Sequence, residues 1–433
     1  MIKKTNSNFD VDHLIDFLQQ SPTPFHATLK MTETLDEAGF EQLHDSEVWS
    51  LKKGSAYYCV RNDSALIAFK TGEEDPIEVG WRLLGSHTDS PCLKLKPTPT
   101  KKFKNYLQAS IEVYGGAILH TWFDRDLSLA GRVSYLNNKG KVASLLLNFK
   151  RPIAVIPSLA IHLNRGCNEN FPVNAQKDLP PLFLQSDDKN ISIEELITSE
   201  IQNQKLAKDF KKILSHELSF YDTQAPSRIG IENQFLASAR LDNLLSCWIG
   251  LQALIQSKSE VPCLLVCNDH EEIGSVSTSG AEGPFLKSAL QRMAPDPEDF
   301  ARMLHRSFFI SCDNAHGIHP NYADKHDEQH GPLLNAGPVI KINSNQRYAT
   351  NSETAAFFAA LCESSRVPYQ KFAVRADMAC GSTIGPLTAA NLGVKTVDIG
   401  LPTFAMHSIR ELAGVQDVAF LGQVLINYFS NLS

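Results

Sequence analysis

The stretch VPCLLVCNDHEEIGS, residues 261–275, sets the reading of the whole chain. Its first half, Val261 to Cys267, is almost continuously apolar, the pattern of a strand buried on both faces rather than one face. The second half turns at once to polar groups and ends in the adjacent carboxylates Glu271 and Glu272. A solvated turn would explain the pair taken alone. In open α/β sheets, however, ligands gather at the carboxyl ends of buried strands, so the surrounding sequence decides.

Outward from this stretch, apolar strands and helices alternate. LDNLLSCWIGLQALIQ (241–256) reads as a helix, RSFFISCD (306–313) as a strand, SETAAFFAALCESS (352–365) as a helix, and YQKFAVRAD (369–377) and VKTVDIG (394–400) as strands. VAFLGQVLINYF (418–429) reads as a closing helix. At the other end, VDHLIDFLQQS (11–21) carries Val11, Leu14, Ile15 and Leu18 at helical spacing, and a second helix runs from Pro24 to a stop at Gly39. SAYYCVRN and ALIAFKTG read as a hairpin about Asn62 and Asp63, and WRLLGSHTDS (81–90) as a buried strand breaking into a loop at Gly85. The fold class expected is α/β, a mostly parallel central sheet flanked by helices.

Between about Leu95 and Arg240 the texture changes. KLKPTPTKKFKN (94–105) reads as a basic, proline-containing linker, and ASIEVYGG and AGRVSYLNN as short strands. ISIEELITSEIQNQKLAKDFKKILSHEL (191–218) reads as a polar helical stretch with a solvated face. The expected division is a catalytic domain of residues 1–95 plus 236–433 with a mainly β module, 96–235, inserted.

Composition bounds the function. The 433 residues are 43% hydrophobic and 21% charged, enough for more than one core. A net charge of −7 argues against nucleic acid or an anionic membrane as the main partner. The opening MIKKTNSNFDVDH has no apolar core behind Lys3 and Lys4, and no run approaches the ~18 apolar residues of a membrane span, so a cytoplasmic location is expected. Nine cysteines without a Cys-x-x-Cys pair fit reduced thiols.

The strand ends now form a set. His87 and Asp89 follow WRLLGS, Glu271 and Glu272 follow VPCLLVCNDH, Asp313 follows SFFISC, and His407 follows TVDIGLPTFAM. Asp242 opens the helix after SARL. Each alone is more simply a cap, a turn residue or a satisfied histidine. Together, three carboxylates and two imidazoles suit two zinc-like ions, one Asp bridging, and the carboxylates plus a hydroxide balance four positive charges. The spare glutamate of the pair is then free to take a proton from the attacking water. Glu272 reads as the ligand and Glu271 as the base, and Asp89, two residues after His87, stands where it can hold that ring by hydrogen bonding.

The motifs SPTPFHA, GSHTDSPCLKLKP, HTWFDRDLSLAGRV, IPSLAIHL, RLDNLLSC, HEEIGS, AHGIHPNYADKH, GPVIKINSNQRYAT, CGSTIGP and MHSIRE, in this order from about Leu14 to the final helix, resemble the aspartyl aminopeptidase family of dinuclear zinc exopeptidases. The resemblance implies His87, Asp242, Glu272, Asp313 and His407 as metal ligands, with Asp242 bridging, Asp89 as a catalytic aspartate and Glu271 as general base. It implies two divalent ions, most simply Zn2+, with Mn2+ or Co2+ also compatible with these ligands. It further implies a zinc exopeptidase type of fold whose inserted module makes dimer contacts, and dimers that assemble into a tetrahedral dodecamer. His162 is expected to reach a neighbouring subunit's site, and Lys341 to help read an acidic side chain. The activity implied is release of an N-terminal residue, preferably Asp or Glu, from peptides with a free N-terminus. Asn314 and Gly317 depart from the family pattern, and some members favour neutral residues.

Other readings stand beside this one: another dinuclear amidohydrolase, such as a carboxypeptidase or deacylase, or a scaffold without catalysis. His316, His319, His326 and His330 read as an ordered pocket-lining loop rather than a separate metal site. Cys380 lacks any neighbour that would activate it as a nucleophile.

Overall fold

In the computed structural model, which describes residues 9–188, 190–258 and 260–430, the 261–275 stretch lies at the heart of a nine-stranded sheet. MIKKTNSN and the last three residues, part of the expected catalytic segment, lie outside the described residues. The chain divides into two compact units, Met1–Asp89 with Pro226–Met406 and Glu411–Ser433, and Ser90–Ala225 with His407–Arg410.

In the first unit the strands Cys263–Asn268, Arg82–His87, Phe308–Cys312 and Lys395–Gly400 are each buried and all run parallel. Their side chains alternate between two cores. Leu84, Leu265 and Ile310 pack with the helices Val11–Gln20, Leu241–Gln256 and Val415–Ser430. Leu83, Leu264 and Phe309 pack with Phe285–Met293, Pro297–Arg306 and Ile384–Leu392. That two-sided burial is why these strands are apolar throughout. The hairpin Ala56–Arg61 and Ala65–Lys70 adds an antiparallel flank, turning at Asn62 and Asp63, both with positive φ. The α/β class, its mostly parallel central sheet and its flanking helices are as the sequence indicates.

One local expectation fails. The strand Arg82–His87 does not break at Gly85 but runs through it. A Cβ there would stand 2.3 Å from the Phe309 ring and 2.9 Å from Ile384, so glycine here makes room for the neighbouring layer. Gly85→Ala is expected to lower stability by about 1–3 kcal/mol through overpacking, read as a lower denaturant midpoint at unchanged slope. An unchanged midpoint would show that Phe309 moves aside freely.

The second unit is a six-stranded antiparallel sheet in the order Val142–Asn148, Leu127–Asn137, Phe210–Asp222, Cys92–Phe103, Tyr106–Tyr114, Leu182–Gln185. The helix Ile193–Asn203 buries Ile193, Ile197 and Ile201 in the core of this unit, and Ser192 and Glu195 close its start with a capping box. Two corrections arise here. KLKPTPTKKFKN is not a linker but most of the strand Cys92–Phe103; Pro97 and Pro99 fall in a register shift between Leu95 and Thr100, where no ladder N–H is required of them. The polar stretch is helical only to Asn203, and Phe210–Asp222 is a strand along Leu127–Asn137. Leu218 and Phe220 alternate into the core, a period of two that the flanking lysines and His216 mask. The hydrogen-bonded units accordingly begin and end several residues before the expected 96–235 boundaries. Cys92 to Leu95 pair in the second unit's sheet, whereas Ser227–Ile229 and Phe235–Ser238 join a small sheet of the first.

Among the described residues no helix is long and apolar enough to cross a membrane, and all nine cysteines are free.

Candidate metal centre

The register of the parallel strands builds the site. Asn268 pairs with His87, so the end of one strand lies beside the end of the other, and Glu271 and Glu272 follow three residues on in a 3-10 turn, Glu271–Ile273. Phe308–Cys312, on the other flank of Arg82–His87, delivers Asp313 to the same edge. Asp242 comes from the start of Leu241–Gln256, where Asp242 and Asn243 have non-helical backbone angles, so Asp242 does not complement a regular helix N-terminus.

His87 is the centre of the cluster and is 1% exposed. Its Nε2 lies 3.3 Å from Asp242 Oδ1, 3.4 Å from Asp313 Oδ1 and 4.0 Å from Glu271 Oε2. Its Nδ1 faces Asp89, 3.1 Å from the carbonyl and 3.4 Å from Oδ1. One ring nitrogen is thus held while the other is aimed into the carboxylates. Asp89 has a second task. Its Oδ1 accepts the Glu271 N–H and its Oδ2 the Glu272 N–H, both at 3.1 Å, so one buried carboxylate fixes the imidazole and the glutamate turn together.

Ligand atoms of His87, Asp242 and Glu272 all lie within 4.8 Å of one another, a convergence that suits a metal ion. The electrostatics agree. Burial would hold His87 neutral, but Asp242, Asp313, Asp89 and Glu271 outweigh it and keep the ring protonated well above its usual range. Glu271 is pushed up to about 8 by burial first, opposed by His87 and reinforced by Asp313, Glu272 and Asp242. So many carboxylates facing one another repel, and divalent cations among them relieve that repulsion. By donor type, convergence and charge, the residues fit zinc-like ions.

Lys341 lies at the same edge and is 2% exposed. Its Nζ donates to the Asn314 carbonyl at 3.0 Å and stands 3.5 Å from Asp313 Oδ2 and 5.1 Å from the Tyr348 ring centre. His407 and His162 belong to the other unit. There His407 Nδ1 lies 3.2 Å from the Gly116 carbonyl oxygen, and His162 is exposed on the short turn Ile161–Leu163. Beneath His87, Ser86 Oγ bonds both the Cys247 and Cys267 thiols, and the Cys247 thiol donates to the His87 carbonyl at 3.0 Å.

Several supporting groups carry no assignment from sequence. Asp269, buried beside Asp89, has its carboxyl raised by burial and then by the Asp89 charge. Asn243 and Glu411 make hydrogen bonds around Asp242. Both stand inside the motifs RLDNLLSC and MHSIRE, but an amide and a carboxylate next to stronger ligand candidates offer no separate signal. The histidines of the 316–330 loop do not form a metal cluster among the described residues. His316 and His326 pack on Phe372, His319 on Phe404, and His330 pairs with Asp327.

Comparison with known proteins places this arrangement in a family. A profile described as aminopeptidase I zinc metalloprotease (M18) matches residues 17–429. A protein named probable M18 family aminopeptidase 2 from Ectopseudomonas mendocina (strain ymp) is 57% identical over 424 residues, 97% of this chain and 98% of its own. Its namesake in Pseudomonas putida (strain GB-1) is 56% identical over 96% of this chain and 97% of its own. Among solved structures, that of the Ape4 and Nbr1 complex superposes with a TM-score of 0.92 at 38% identity, covering 96% of this chain and 84% of that one. The S. cerevesiae mApe1 dodecamer superposes at 0.84 and 27% identity, covering 96% and 95%. With nearly its whole length matched, the chain belongs to the M18 family of aminopeptidase I zinc metalloproteases.

Proposed function

We propose that this M18 aminopeptidase releases the N-terminal residue of peptides, preferably Asp or Glu, using two divalent ions, zinc by preference, and Glu271 as general base. The observation that supports this most directly is the convergence of His87, Asp242 and Glu272 donor atoms with the Glu271 carboxylate beside them. His87, Asp242, Glu272 and Asp313 would hold the ions, and His407 joins the set on its motif match alone. Bound ions supply Lewis acidity toward the scissile carbonyl and acidify water. Glu271, half-buried and repelled by its neighbours, accepts a proton from the attacking water and returns it to the leaving amine. Asp89 keeps His87 and the Glu271 turn in one orientation, which is how it would act in catalysis.

Lys341 supports the acidic preference as a buried cation at the same edge. One observation favours the alternative, a preference for neutral residues: the ammonium already engages the Asn314 carbonyl and lies near Asp313. A carboxypeptidase or deacylase, which would not require a free substrate amine, is disfavoured by the family match. A homo-oligomer, built from dimers into a tetrahedral dodecamer with His162 reaching a neighbouring site, is part of the same proposal; mApe1, 27% identical, forms a dodecamer. The free thiols suit a reducing cytoplasm.

The test is hydrolysis of aminoacyl amides bearing Asp, Glu, Leu or Lys, by metal-loaded and chelated protein and by Lys341→Met. Chelator-sensitive release favouring Asp and Glu is expected. Lys341→Met should reduce kcat/KM for Asp by about 10- to 100-fold relative to Leu, the value of a charge-assisted hydrogen bond. Metal-dependent release of Leu above Asp would discard the acidic preference, and release from an acetylated peptide would discard the aminopeptidase reading of this site.

A further inference from the structure

Asp242 carries a backbone N–H that the following helix does not use. Its angles, φ −83° and ψ 104°, and those of Asn243, φ −125° and ψ 27°, set both residues outside helical geometry although they precede a regular helix. Backbone donors in so buried a place need acceptors. The Asp242 N–H finds one at 2.9 Å in the side chain of Glu411, through Oε2. Glu411 is itself 2% exposed. It stands opposite Ser238, the last residue of the strand Phe235–Ser238 that leads into Asp242, in the antiparallel pair with Glu411–Gly414.

Two further side chains fix the same turn. Arg240, in a left-handed conformation, donates from its guanidinium to the carbonyls of Leu18 and Ser21 at the end of Val11–Gln20. Asn243 Nδ2 donates to the Cys312 carbonyl at 2.8 Å, tying the turn to the residue before Asp313. Arg240 and Asn243 anchor the residues flanking Asp242. Glu411 holds the peptide of Asp242 itself.

We infer that Glu411 is a positioning residue for the metal centre: it accepts the Asp242 N–H and thereby aims the Asp242 carboxylate at His87 Nε2, where both serve as ligands. This rests on the proposed reading of Asp242 as a metal ligand. Buried groups that orient ligands cost about 10- to 100-fold in metal affinity when changed. The side chain acts by the position of an acceptor oxygen, so its charge and its reach can be separated. Glu411→Gln keeps an acceptor at the same reach without the charge. Glu411→Asp keeps the charge but falls short by one methylene.

The experiment is titration of the metal-free full-length protein with Co2+, following both affinity and the visible absorption of the bound ion, for wild type, Glu411→Gln, Glu411→Asp and Asp242→Ala. Near-ultraviolet circular dichroism checks that each variant is folded. Glu411→Asp should weaken Co2+ binding by about 10-fold or more and alter the absorption band, whereas Glu411→Gln should stay within about 3-fold of wild type with the band unchanged. The reverse order, Gln weak and Asp intact, would assign Glu411 a charge effect and overturn the inference. So would wild-type affinity in both variants while Asp242→Ala loses the metal. If Asp242→Ala binds Co2+ like wild type, the reading of Asp242 as a ligand fails, separately from that of Glu411. Should Glu411→Asp not fold, Glu411→Ala takes its place: Co2+ binding weakened in Glu411→Ala but retained in Glu411→Gln supports the acceptor role, and wild-type affinity in Glu411→Ala overturns it.

Discussion

Glu271→Gln should leave the metal content at the wild-type level and lower kcat by about 10²- to 10⁴-fold, the usual contribution of a positioned general base. The amide keeps the volume and the turn, because the Glu271 N–H to Asp89 is a backbone contact that the side chain does not alter. What it loses is the ability to take a proton. Glu271 lies 4.0 Å from His87 Nε2, within the cluster yet farther from it than the 3.3 Å of Asp242 and 3.4 Å of Asp313. KM should move much less than kcat, since a proton shuttle acts on the transition state. Measurement of bound metal by atomic emission alongside steady-state kinetics decides the point. Near-full activity in the variant would remove Glu271 from the role of base, and loss of metal would make it a ligand instead.

Asp242→Ala should remove both metal and turnover. Lewis-acid stabilisation is worth several kcal/mol, so its loss corresponds to at least about 10³-fold in kcat/KM. In the metal-free variant the His87 ring also has fewer carboxylates around it. Asp242 is one of the groups that hold the His87 proton, and without it burial has more weight and the ring moves back toward neutrality. Dialysed protein that keeps its full metal complement and turns over normally would contradict the bridging assignment. Protein that keeps the metal but not the activity would move Asp242 from ligand to base.

Much of this centre was legible because parallel sheets write their functional edge in a simple code. An apolar run ending abruptly in His or a carboxylate is readable from sequence, and His87, Asp313, Glu271 and Glu272 all stand at such junctions. The helices Val11–Gln20 and Val415–Ser430 were legible for a related reason, since their apolar spacing is undisturbed by function. Where a local signal served a long-range purpose, it misled. Gly85 looks like a breaker because its missing Cβ is used by Phe309, a residue 224 positions away (309 − 85). Pro97 and Pro99 look like a linker because the register shift that accommodates them is visible only in the paired strand. The double duty of Asp89 and the contact between Asp242 and Glu411 were illegible for the same reason: in both, a backbone N–H donates to a carboxylate far away in sequence, and sequence spacing carries no trace of it.

The strand order has a consequence for biogenesis. Arg82–His87 is flanked only by Cys263–Asn268 and Phe308–Cys312, so the first partner of this apolar strand begins 176 residues after it ends (263 − 87). At ribosomal speeds of about 5–20 residues per second, that segment waits on the order of 10–35 s for a neighbour, with both of its edges open. Throughout that interval the nascent chain presents an unpaired hydrophobic ribbon, the kind of surface that chaperones shield and that aggregation exploits. Asp313 lies 313 residues into a chain of 433, so the set that would hold metal is not complete until most of the polypeptide has been synthesised.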